Sequence, residues 1–222
     1  MENRSVYSAS QSSAIEIPKV LRNTYMLLAM TLAFSAVTAF VSFALGPEVI
    51  GRGTALIMML AAFGTLFILH KKANSSAGIG LVFLFTGLLG ASLGPTLSMY
   101  VAAGAGGLIF QALGMTALIF FTLSAYVLVT KKDFSFLGGF LMIGLVFAIV
   151  ASLIMLFVPS MAGYLAINAV IVFLMSGFIL YDTSRIVNGG ETNYILATVS
   201  LYLNIYNLFT SLLALLNLAG DD

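Results

Sequence analysis

Long apolar runs, separated by short polar clusters, set the pattern of this chain. A helix needs about 20 apolar residues to cross the hydrocarbon core of a bilayer. Runs of that length fall at 22–45, 53–70, 78–102, 108–130, 136–158, 162–184 and 192–218. The pattern predicts an all-α integral membrane protein with seven transmembrane helices. The membrane domain covers residues 21–219, and connections this short leave no room for a second, soluble domain. Residues 1–20, rich in Ser, read as a disordered cytoplasmic leader. They do not read as a cleavable signal, because the apolar run that follows is too long for one.

The last run departs from uniform apolarity. Asn193, Ser200, Asn204, Asn207 and Ser211 recur at spacings of seven, four, three and four. At 3.6 residues per turn these positions share one face. Lipid cannot hydrogen-bond an amide, so this helix is expected inside the bundle, its stripe against other helices or a wet cavity. Tyr202 and Tyr206 fall roughly opposite and read as packing residues. In the third run, Gly90 and Gly94 form a small-xxx-small pair that lets another helix come close. Pro95 should kink that run. This combination reads as a packing contact rather than a hinge.

Charge sets an orientation. Of nine Lys and Arg, eight fall on one side of the seven-span arrangement: Arg4, Lys19, Arg22, Lys71, Lys72, Lys131, Lys132 and Arg185. Only Arg52 falls on the other. The positive-inside rule then places the N-terminus in the cytoplasm and the C-terminus outside. The pairs Lys71-Lys72 and Lys131-Lys132 lie 60 residues apart and read as ordinary cytoplasmic-loop lysines rather than a duplication. The whole chain is 61% hydrophobic and 8% charged, with no basic cluster suited to nucleic acid.

Candidate chemistry is sparse. Without cysteine there are no disulfides, thiolate catalysis or Cys-ligated metals. His70 is the only histidine and has no second histidine for a zinc site or proton relay. Asp182 is the one carboxylate within an apolar run. It reads either as an ionisable group in a cytoplasm-facing cavity or as an interfacial carboxylate paired with Arg185 one turn later. Glu191 is expected to complement the dipole of the last helix. A protease-like aspartate dyad lacks its second membrane carboxylate, because Asp221 and Asp222 lie at the polar end. Neither an enzymatic activity nor a cofactor is expected, and no firm metal site.

Two segments then become recognisable: Ile179-Leu180-Tyr181-Asp182-Thr183 and Ser200-Leu201-Tyr202-Leu203-Asn204-Ile205-Tyr206-Asn207-Leu208-Phe209. They resemble the signature of the Bax inhibitor-1 (transmembrane Bax-inhibitor-motif) family. Further segments resemble its bacterial YccA-type branch: Val20 to Tyr25, Phe85 to Pro95, Phe134 to Gly139, and Gly189 to Tyr194. The resemblance covers the whole chain and implies six helices surrounding a central seventh.

It also implies two possible roles. The branch implies an inner-membrane modulator, partner and substrate of an FtsH-type AAA protease. Other members imply a pH-sensitive calcium or cation leak built on paired aspartates of the last two helices. Here Asp182 matches the first aspartate, while Asn204 occupies the second position. An amide offers an oxygen but no titratable charge, so a two-carboxylate switch is not expected. Under the leak reading, calcium or protons would be the partners. Asp182, Arg185, Asn204, Asn207, Ser200 and Ser211 are its candidate ion-sensing, pH-sensing or cavity-lining residues.

Overall fold

The computed structural model describes the backbone of residues 3–219 and the side chains of residues 17–217. The order is α1 (Asn3–Leu45), α2 (Arg52–Lys72), α3 (Ala77–Ser92), α4 (Gly94–Ala102), α5 (Gly106–Thr130), a 3-10 turn (Ser135–Leu137), α6 (Gly138–Met155), α7 (Met161–Val187) and α8 (Tyr194–Ala219). Among the described residues every regular element is helical. Seven spans are long and apolar enough to cross a membrane, α3 and α4 together making one of them. Helix is favoured in lipid because it satisfies its own backbone donors and acceptors. The first span, expected from residue 22, lies within α1, whose helical backbone already runs from Asn3. The segment expected as a disordered leader over 1–20 is helical backbone from Asn3 on, the first part of α1, and its side chains before residue 17 lie outside the described residues.

The chain divides into two compact units. One comprises Pro18–Gly106 with Thr192–Tyr202. Within it, α1 runs against a glycine seam on α3 and α4. A methyl at Gly87 would sit 2.7 Å from Phe34 Cε1, one at Gly90 would sit 2.6 Å from Ser35 Oγ, and one at Gly94 would overlap Ser42. Small residues substitute for the hydrophobic driving force that lipid removes, because they allow close backbone approach. The helix breaks at Leu93, between α3 and α4, and Pro95 sits in the first turn of α4, where its missing N–H costs little. The expected kink is therefore a packed break along this seam.

The other unit comprises Met1–Ile17, Gly107–Glu191 and Leu203–Asp222. Here α6 packs on α7 by reciprocal knobs. Leu174 fills the space above Gly144 at 2.5 Å from an added Cβ, and Leu141 fills that above Gly177 at 2.6 Å. The start of α7 is capped by Ser160, whose Oγ accepts from Gly163 N at 3.2 Å. The last span is the most enclosed, with 61% of its window buried against 11–44% for the others.

Candidate functional site

Several polar groups of the second unit meet near the C-terminal end of α7. Asn204 Nδ2 donates to Asp182 Oδ2 at 2.7 Å, joining α7 to α8. The nitrogen must face the carboxylate, because two acceptor oxygens would repel. Asn204 is buried and Asp182 half-buried. An amide at this position therefore serves the aspartate as a hydrogen-bond donor and does not compete with it for a proton.

Arg185 turns away from this pair. Its guanidinium lies 3.5 Å from Glu191 Oε2, donates to Gly190 O at 2.9 Å, and stacks 5.7 Å from the Tyr181 ring centre. The expected alternative partner for Asp182 is thus held by the α7–α8 turn. One guanidinium nitrogen, Nη2, makes both contacts, to the Gly190 carbonyl and to the Glu191 carboxylate. Glu191 is correspondingly engaged by a cation and does not act on the helix dipole alone. The α8 start is capped instead by Asn193, whose Oδ1 accepts from Ile195 N at 2.9 Å and Leu196 N at 3.2 Å. Asn193 Nδ2 donates to Asn74 Oδ1 at 2.6 Å. It therefore leaves the stripe to which its spacing assigned it.

The remaining stripe residues divide. Asn207 Nδ2 bonds back to Leu203 O at 2.8 Å, and it is half-buried. Ser211 is buried. Ser200, half-buried, belongs to the part of α8 grouped with the first unit. The structure thus joins Asp182 directly to Asn204, and neither to Arg185. His70 Nδ1 lies 2.9 Å from Leu66 O of its own helix. Among the described residues, no group of three His, Cys, Asp or Glu is placed to hold a metal.

Two features escaped the sequence reading. Ser184, fully buried, accepts from Phe134 N at 2.8 Å and donates to Asp133 Oδ1 at 3.4 Å. Asp133 Oδ1 also accepts from Ser135 N at 2.8 Å and from Ser135 Oγ. These Ser135 bonds hold the exposed Asp133 carboxyl below its usual range. Together they pin the α5–α6 loop to the end of α7. The Asp-x-Ser spacing of an Asx turn was the available local signal; nothing local marks Ser184. In the first unit, the Tyr202 hydroxyl meets Ser35 Oγ at 2.6 Å and donates to Thr86 O at 3.2 Å. Its ring packs edge-on to Phe85. Tyr202 is a packing residue, as expected, but also a buried polar junction of three helices.

A family model described as "Inhibitor of apoptosis-promoting Bax1" matches residues 17–221. Among similar proteins is a membrane protein of Vibrio cholerae, 51% identical over 97% of this chain and 96% of its own length. Another is the "Modulator of FtsH protease YccA" of Escherichia coli K12, 48% identical over 97% of each chain. A protein from a second Escherichia coli strain, "Inner membrane protein YccA", shows the same identity and coverage.

Proposed function

Since this chain belongs to the family of inhibitors of apoptosis-promoting Bax1, the Bax inhibitor-1 family, we propose that it is a multi-pass inner-membrane modulator of an FtsH-type AAA protease, without catalytic activity of its own. The observation that carries this reading is the 48% identity to the Escherichia coli modulator over 97% of both chains. The charge bias of the loops supports an N-terminus on the side of the protease motor.

The physical argument concerns extraction. Residues 1–18 offer a polar handle to a cytosolic unfolding motor. Behind it come seven apolar spans, with α1 held tightly to the glycine seam of α3 and α4. Pulling them out of the bilayer is slow, so a bound copy occupies the protease and slows turnover of other membrane substrates. The chain is then both modulator and slow substrate.

Proteoliposomes holding the protease, an independent membrane substrate and this protein test the reading. Degradation of that substrate should slow as this protein is added, and deletion of residues 1–18 should restore it. Unchanged degradation at a several-fold excess of the full chain would remove the proposal.

A further inference from the structure

The α5–α6 loop carries a second kind of surface, independent of any protease. Lys131 and Lys132 follow the end of α5 and are exposed. Lys131 N still bonds Val127 O at 2.7 Å, while its φ of 52° lies in the left-handed region. Glycine is the usual occupant of that helix-end position, and a lysine there carries backbone strain. Lys132 is held in place: its Nζ donates to Tyr126 OH at 3.1 Å and lies 5.7 Å from that ring's centre.

An aromatic ladder starts at Tyr126, the ring that holds the Lys132 ammonium. Tyr126 lies 6.1 Å from Phe134, and Phe134 lies 6.3 Å from Phe136, centre to centre. Phe136 is 76% exposed, and Phe140, one turn on, is 63% exposed. The loop is pinned to α7 by Ser184, so this arrangement is built rather than mobile surface. Asp133, the nearest carboxylate, is engaged with Ser135 and Ser184.

We propose that Lys131, Lys132 and the Tyr126–Phe134–Phe136 ladder form a binding site for an anionic phospholipid, the lysines taking the headgroup phosphate and the exposed rings its acyl chains. The chemistry argues for this occupant. The site lies between the ends of two apolar spans, Gly106–Thr130 and Ser135–Met155, and offers two exposed lysines next to exposed rings. Tyrosine favours the membrane–water interface, and basic pockets between spans hold acidic headgroups. The other basic pair, Lys71 and Lys72, is exposed at the end of α2. It provides the internal control for charge alone.

Native mass spectrometry of the full chain, titrated with phosphatidylglycerol or phosphatidylcholine of identical acyl chains, tests the site. The unmodified chain should prefer phosphatidylglycerol. Lys131→Gln with Lys132→Gln should weaken that lipid by about fivefold per lysine, whereas Lys71→Gln with Lys72→Gln should leave it unchanged. Tyr126→Phe, which frees Lys132 while keeping the ring, should weaken it to a lesser extent. Equal loss from both lysine pairs, preference retained without Lys131 and Lys132, or no preference in the unmodified chain would each overturn the proposal.

Discussion

Replacing Tyr202 by Phe tests whether the buried hydroxyl couples helices or merely occupies space. The ring remains, and with it the edge contact to Phe85 at 6.0 Å. What disappears is the 2.6 Å bond to Ser35 Oγ and the 3.2 Å bond to Thr86 O. Tyr202 is 1% exposed and Ser35 7%, so no water replaces the lost partner. An orphaned buried hydroxyl costs about 1–3 kcal/mol. Ser35 can relieve part of that by bonding a carbonyl one turn back in α1. Side-chain bonds between membrane helices average about 0.6 kcal/mol, with a ceiling near 1.7. The expected loss is therefore about 1 kcal/mol, or about 2–4 °C in the unfolding midpoint for a chain of this size.

Ser35→Ala should cost a similar amount. The double variant should lose less than the sum of the two single losses, because the Ser35–Tyr202 bond is removed only once, while the bond to Thr86 O is lost only with the Tyr202 hydroxyl. Thermal unfolding of the purified protein, followed for all four forms, measures the coupling. If the two losses simply add, the hydroxyl pair is not an energetic unit and the reasoning fails.

Two further outcomes follow from local geometry. Gly90→Ala should lower the midpoint by the equivalent of about 1–3 kcal/mol through overpacking against Ser35 and Thr38. Gly64→Ala, with nothing within 4 Å of its added methyl, should be neutral or slightly stabilising; equal effects would refute the close α1–α3 approach. Asp133 is held below the usual aspartate value of 3.8 chiefly by Ser135. A folded-state value lowered in this way stabilises the fold above the unfolded value, and that contribution vanishes as pH falls through the lowered one. The midpoint of the native chain should thus exceed that of Asp133→Asn near pH 6, with the gap closing below pH about 3.8. A gap that does not change with pH would contradict the assignment.

Much of the fold was legible because lipid imposes a simple rule. Seven apolar runs of sufficient length correspond to seven spans, and the small residues of the third run correspond to a close helix contact. The candidate site was legible only in part. Asp182 and Asn204 were both identifiable, one as a carboxylate in an apolar run and one by its place in a polar stripe. Their direct bond was not, since 22 residues of chain separate them. The α7–α8 turn also redirected Arg185 to Glu191, a partner that helical spacing alone does not select. Ser184 left no trace, because a serine near a helix end is ordinary until a loop amide from residue 134 arrives to be capped.

The sequence by itself determined the seven-span architecture, the enclosed character of its final helix and the amide at position 204. These follow from hydropathy, period and residue identity, which depend on neighbours along the chain and on the solvent. Tertiary structure alone decided which polar group meets which. It set Asn204 on Asp182, Arg185 on Glu191, Asn193 at the head of α8 and the Tyr202 hydroxyl between Ser35 and Thr86. A hydrogen bond depends on distances of a few tenths of an ångström and on donor direction, and those are set only when helices distant in sequence have packed.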